Sequence, residues 1–219
     1  MSSRGPLPGA QLPAVQLPLV GGGVASLSAT VPGSAAKLLV LYRGAFCPFC
    51  KARTPRGPKT QRRRRTVLLR GGAAVPSPHL TRPAAPQATL LALEAKLPAL
   101  RAAGWELLVA SADPEAVSAP YVRQLGLSYP VACGLMEAHM RALGVYVSDP
   151  KNYQPQTYAF SEPAFFVLDG PSGAIKYRAE ASCPMGARPD VDALLMGFAW
   201  SKQNAVEHPE YAGHVWGNK

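Results

Sequence analysis

An apolar run, Leu38-Leu39-Val40-Leu41-Tyr42, breaks at Arg43-Gly44 and leads through Ala45-Phe46 into Cys47-Pro48-Phe49-Cys50. A continuous apolar stretch of this length between turn residues fits a strand buried on both faces, as in the middle of a parallel sheet. A helix is expected to start at the cysteine pair, because Pro48 suits a first turn where its missing N–H would have no intrahelical partner. Two thiols then sit at a helix N-terminus, where about half a positive charge and unpaired N–H groups lower a thiol pKa. The thiolate is the nucleophile, so Cys47 and Cys50 are candidates for redox chemistry. Two other readings stand beside this one: half of a zinc site, and a pair of inert core cysteines.

The 219 residues have room for one ordinary domain plus decoration, and 47% apolar composition can fill its core. Residues 1–35 mix Pro, Gly, Ser and Leu and read as an extended arm packed along the core, with a short strand within Val24 to Val31. After the cysteines the pattern resumes at Thr89, where Leu90, Leu93, Leu97 and Leu100 mark one helical face. Gly104 is the expected C-cap of this helix and Pro98 an expected kink. Trp105 to Ala110 reads as a strand. Asp113 is the expected N-cap of a helix with Pro114 at its first position. A short strand over Tyr129 to Ala132, a helix from Leu135 to Leu143 capped by Gly144, and a polar connection from Asp149 to Ser161 follow. Pro163 to Leu168 and Ala174 to Ala179 form a hairpin around Asp169-Gly170-Pro171-Ser172-Gly173. Arg188-Pro189-Asp190 opens the last helix, with Leu194, Leu195, Phe198 and Ala199 as its buried stripe. This order predicts an α/β protein with the thioredoxin-like fold: a central mixed sheet flanked by helices, with an early crossover and a late hairpin. The domain is expected over 36–203, followed by a tail over 204–219.

Residues 53–88 interrupt that domain. They hold nine Arg and Lys, among them the run Arg62-Arg63-Arg64-Arg65, six prolines and no Asp or Glu. Setting those nine aside from the 23 basic residues leaves 14 against 13 acidic ones, so nine of the ten formal positive charges belong to this one segment and the rest of the chain is nearly neutral at +1. A connection of 36 residues without periodicity is far longer than the usual handful and reads as disordered. The basic run alone is most simply a solvated loop, and nucleic acid is not an expected partner. No stretch of about 18 apolar residues is present, so no membrane span is expected. The start lacks the apolar core of a secretory signal, while a short organellar presequence stays open. Four cysteines, two of them in one C-x-x-C, do not make a disulfide framework and point to a reducing, intracellular compartment, with the cytoplasm expected. The four histidines show no metal-ligand spacing, and neither a metal nor a cofactor is expected.

Four ordered stretches resemble the peroxiredoxin-like proteins of the alkyl hydroperoxide reductase and thiol-specific antioxidant (redoxin) group, within the thioredoxin-like superfamily. They are Leu41 to Lys51, Leu93 to Leu97, Ser161 to Val167 and Cys183 to Pro189. In such relatives the helix after the second cysteine runs on unbroken. Here Cys50-Lys51-Ala52 would join Thr89-Leu90-Leu91 if residues 53–88 were removed, so the segment is expected to be an in-frame insertion, such as an unspliced intron.

The resemblance implies a thiol oxidoreductase, with two mechanisms open. In a dithiol reductase, Cys47 is an exposed nucleophile that attacks a protein disulfide and Cys50 resolves the mixed disulfide. In a peroxidase, Cys50 falls where the peroxidatic cysteine sits in typical members and Cys47 takes the place of their Thr or Ser. Arg43 stands where the motif proline is expected, and no arginine precedes Pro163, where a peroxide-polarising one is usual. Arg43 is therefore either a substitute cation for the thiolate or a solvated turn residue. The resemblance places Pro163 where a cis proline faces the cysteines, with Glu162 either in proton transfer or exposed to solvent. Cys133 and Cys183 are expected to be structural. Thioredoxin or glutathione is the implied reductant, and the oligomeric state is open. The alternative of a different class is a non-enzymatic redoxin-fold protein whose site is disrupted by the insertion.

Overall fold

The computed structural model describes residues 5–47, 89–151 and 155–208. In chain order, β1 (Gln16–Pro18) and β2 (Val24–Ser26) form a small hairpin in the N-terminal arm, and β3 (Ala36–Leu41) enters the core. Then come α1 (Thr89–Ala102), β4 (Trp105–Ala110), α2 (Glu115–Leu125), β5 (Val131–Ala132) and α3 (Glu137–Leu143). The short strands β6 (Val147–Ser148) and β7 (Phe160–Ser161) pair with each other, and β8 (Ala164–Asp169), β9 (Ile175–Glu180) and α4 (Val191–Glu207) follow. The main sheet has the order β5-β4-β3-β8-β9. It is mixed: β3 runs parallel to β4 and antiparallel to β8.

Alternation along β3 explains why all six of its residues are buried. Leu39 and Leu41 point into a core shared with Leu108, Phe166, Leu168 and the arm residues Leu12, Val15 and Leu17. Leu38 and Val40 point into the opposite core, with Leu107, Val109, Val167 and the α1 residues Leu90, Leu93 and Leu97. Helices cover one face of the sheet, while the arm and α3 cover the other. The arm also reaches both edges: Ile175 and residues 9–10 exchange backbone hydrogen bonds at 2.8 Å, and Val20 N–H donates to Val131 O at 2.9 Å.

Several local expectations hold and others shift. Gly126 and Gly144 close α2 and α3 in the left-handed conformation. The Asp190 carboxylate caps α4, accepting from Ala193 N–H at 3.1 Å. Helix α1 runs through Pro98 as one assigned element with the proline on its exposed face. Helix α4 continues to Glu207, and its expected stripe is only half-buried at Leu194, Leu195 and Phe198 and exposed at Ala199. Helix α2 starts at Glu115 with Pro114, not Asp113, in the N-cap position and no side-chain cap. The reason is that the Asp113 carboxylate is engaged elsewhere, as the site shows. Residues 48–88, with Pro48, Cys50 and the insertion, lie outside the described residues, so the expected helix start at the cysteine pair lies outside them too. Among the described residues no helix is long and apolar enough to cross a membrane.

Candidate active site

Parallel pairing of β3 with β4 and antiparallel pairing with β8 bring three chain segments to one end of the sheet. Leu41 lies beside Ala110 on one side and beside Ala164 on the other. The turn that follows β3, residues 43–47, therefore sits between the segment after β4 (Ser111 to Asp113) and the segment before β8 (Ser161 to Pro163). Cys47 N–H closes this turn on Gly44 O at 3.1 Å.

Arg43 and Cys47 face each other across the turn. The guanidinium Nη1 lies 3.9 Å from Cys47 Sγ. Its Nε lies 3.0 Å from Glu162 Oε2, and both side chains are nearly buried, at 12% and 5% exposure. That contact is not aligned as a hydrogen bond, so the attraction is chiefly ionic. The other carboxylate oxygen of Glu162 accepts from the Ser148 hydroxyl at 2.7 Å. Arg43 also lies over the rings of Phe160, at 4.8 Å, and Phe46, at 5.4 Å, and these rings meet edge to face at 4.9 Å. An arginine stacked on two rings and paired with a buried carboxylate is held in one orientation. It is not a solvated turn residue, and Glu162 is not exposed.

Cys47 itself is fully buried, in the core that also holds Leu90 and Tyr42. This corrects the expectation of an exposed nucleophile. The turn continues directly from the fully buried strand β3, and Cys47 joins the apolar cluster on the α1 side of the sheet, away from solvent. Pro163 is also corrected: no peptide bond among the described residues is cis. Glu162 N–H donates to Tyr146 O at 2.8 Å, and Pro163 O accepts from Ala181 N–H at 3.0 Å. The chain thus passes from β7 into β8 through a bend at Pro163 with trans peptide bonds throughout.

The second carboxylate at this end, Asp113, has no role in the sequence reading beyond a helix cap. Its Oδ2 accepts from Ala45 N–H at 2.7 Å and its Oδ1 from the Tyr158 hydroxyl at 2.7 Å. Burial, and then Asp113, push the Tyr158 phenol pKa up. Cys133, which follows β5, is buried, and burial, Glu115 and Asp113 all raise its thiol pKa, which suits an inert structural cysteine. Cys183 is half-exposed in the connection to α4, where Arg188 donates to Pro184 O at 2.5 Å and to the Thr89 hydroxyl. Among the described residues no group of three His, Cys, Asp or Glu could hold a metal ion. An open cavity of about 410 Å³ lies beside this end of the sheet, lined by Ala112, Pro114, Leu135, Met136 and Tyr158 among others. Cys47 does not line it.

Of the sequence candidates, the structure brings together Arg43, Cys47 and Glu162, with Pro163 beside Glu162. Asp113, Tyr158 and Ser148 escaped the sequence reading. Asp113-Pro114 has the form of a helix start, and Tyr158 and Ser148 lie in or beside a connection without periodicity. The one available signal was a carboxylate directly after a buried strand that pairs with the cysteine strand.

No established sequence family matches the chain, and no curated protein matches it in sequence. Solved structures do match in fold. A peroxidoxin from Mycobacterium tuberculosis superposes with a TM-score of 0.58 at 14% identity, over 89% of this chain and 97% of that one. The reduced 2-Cys peroxiredoxin of Plasmodium vivax gives 0.58 at 15% identity, over 92% and 84%. The bacterioferritin comigratory protein of Xanthomonas campestris, described for alkyl peroxide reduction, gives 0.54 at 19% identity, over 90% and 96%. The chain has the thioredoxin-like fold of the peroxiredoxins.

Proposed function

We propose that the protein is a thiol-dependent redox protein of peroxiredoxin-like type that reduces a small peroxide through Cys47 and Cys50. The observation that carries this reading is the Arg43 guanidinium 3.9 Å from Cys47 Sγ, fixed there by the buried Glu162 carboxylate. A cation held beside a buried sulfur favours its thiolate, and the thiolate is the reactive form. The Cys47 sulfur attacks one peroxide oxygen, an S–O bond forms and the O–O bond breaks. The departing oxygen takes a proton and leaves as water or an alcohol, with Arg43 stabilising its developing negative charge. Cys47 is then a sulfenic acid. The Cys50 thiol attacks its sulfur, releases water and leaves a disulfide, which a thioredoxin or glutathione thiol returns to the dithiol. Burial of Cys47 favours a small peroxide over a protein disulfide as the oxidant. The alkyl peroxide activity described for the Xanthomonas neighbour supports the same choice.

Stopped-flow reaction of the full chain with hydrogen peroxide, beside a model disulfide, tests the reading. The expected outcome is a fast oxidation that Cys47→Ser abolishes. Cys50→Ser should retain it and leave a sulfenic acid that dimedone traps on Cys47. A wild-type chain that reacts with peroxide no faster than free cysteine overturns the proposal.

A further inference from the structure

Asp113 follows β4 and is 1% exposed. Its two carboxylate oxygens receive a backbone N–H from Ala45 and a hydroxyl from Tyr158, each at 2.7 Å. Ala45 is two residues from Cys47, in the turn that Cys47 N–H closes on Gly44 O. The turn is also fitted to the carboxylate in shape. Gly44 has φ +136°, and a Cβ there would come within 2.7 Å of Asp113 Oδ1. A buried carboxylate is a costly way to satisfy one N–H, and a negative charge near the turn works against a thiolate. A neutral acceptor would serve the fold better, so the carboxylate needs a benefit in position. Charge-assisted hydrogen bonds at both oxygens supply one, because they are shorter and stronger than neutral ones. The Tyr158 phenol, pushed up by burial and by Asp113, stays a donor.

We propose that Asp113 and Tyr158 are positioning residues of the redox site: a strut, acting through Ala45, that sets the Cys47 sulfur against the Arg43 guanidinium. The strut joins three segments distant in sequence, the cysteine turn, the end of β4 and the connection before β7. Loss of the strut lets the turn relax and takes Sγ away from its cation. The inference rests on the reading of Cys47 as a reactive thiol, and its test separates the two.

The test is the pH profile of Cys47 alkylation by iodoacetamide, resolved by peptide mass in the full chain, for wild type, Tyr158→Phe and Asp113→Asn. Among the described residues, the charged groups around the turn are Arg43, Glu162 and Asp113, with the Tyr42 phenol as a further titratable group, and Tyr158→Phe changes none of them. It is the deciding variant. The strut predicts that Tyr158→Phe raises the apparent thiol pKa by about half a unit or more, with the melting temperature close to that of wild type. Asp113→Asn should raise it as well, although removal of a negative charge alone would lower it. An unmoved Tyr158→Phe profile, or a lowered pKa in Asp113→Asn with Tyr158→Phe unchanged, overturns the strut. The wild-type profile judges the redox reading and the difference between the profiles judges the strut, so the two fail separately.

Discussion

Strand β3 has a cation withdrawn from solvent at each end, Lys37 near its start and Arg43 just past its finish, and the two are held by different kinds of group. Lys37 Nζ donates to the main-chain carbonyls of Ser26 and Ala29, at 2.7 and 2.5 Å. Burial lowers its pKa, with Glu106 opposing. Its partners are fixed backbone, so its work is to tie the arm to the sheet. Arg43 is held by a carboxylate and two aromatic rings, with Cys47 Sγ within reach. The difference teaches where reactivity can arise on one strand. A cation whose hydrogen bonds all go to carbonyls ties parts of a fold together, while one that shares its field with a titratable sulfur can tune chemistry.

Substitutions at the two ends should therefore separate stability from reactivity. The largest effect is expected for Arg43→Met combined with Glu162→Gln, which removes the cation without stranding a buried carboxylate. Peroxide oxidation of Cys47 should slow by about tenfold or more, measured by stopped flow. A double variant that reacts at the wild-type rate would erase the contrast between the ends.

Next comes Lys37→Met at the opposite end. Two half-buried hydrogen bonds that tie the arm to the sheet are lost, so denaturant unfolding should show a loss of about 1–2 kcal/mol, while the Cys47 alkylation profile stays in place. The pH sign also follows. Because the folded-state pKa of Lys37 lies below the ordinary lysine value of 10.5, the unfolded chain holds more protons between those two values. Stability from this residue therefore rises as pH climbs through that window, and the wild-type minus variant difference curve should slope accordingly.

The smallest effect is expected at Ser148→Ala. Glu162 keeps its ion pair with Arg43 but loses the hydroxyl that holds its other oxygen at 2.7 Å. The peroxide rate should change by about two- to threefold, the equivalent of roughly half a kcal/mol. A change as large as that of the Arg43 variant would move the centre of the site from the cation to the carboxylate.

Much of the frame was legible along the chain because its signals are local. The apolar run before Arg43, the leucines of α1 and the hairpin around Asp169 each carry their own periodicity or turn chemistry, and each formed where expected. The pairing of Arg43 with Glu162 was out of reach because it depends on β7 and β8 returning antiparallel beside β3, a relation between residues far apart in sequence. Asp113 shows the limit most clearly. Asp before Pro fits a helix cap by every local rule, yet its carboxylate turns to Ala45 and Tyr158, two partners that only tertiary structure supplies. The alternation of half-buried α4 residues misled for a related reason: one helical face was apolar, but only Val191 in that helix is fully buried.

The N-terminal arm has a consequence for the order in which the molecule can be made. It leaves the ribosome well before its hydrogen-bond partners on the sheet, Val131 and Ile175, are synthesised. Until β9 has emerged, Leu12, Val15 and Leu17 have only part of the core that will receive them. The arm is thus a clasp that closes after its own synthesis is long finished, and contacts of such high sequence separation are slow to form. A bulky fusion at the N-terminus would burden that last closure more than the chemistry at the other end of β3.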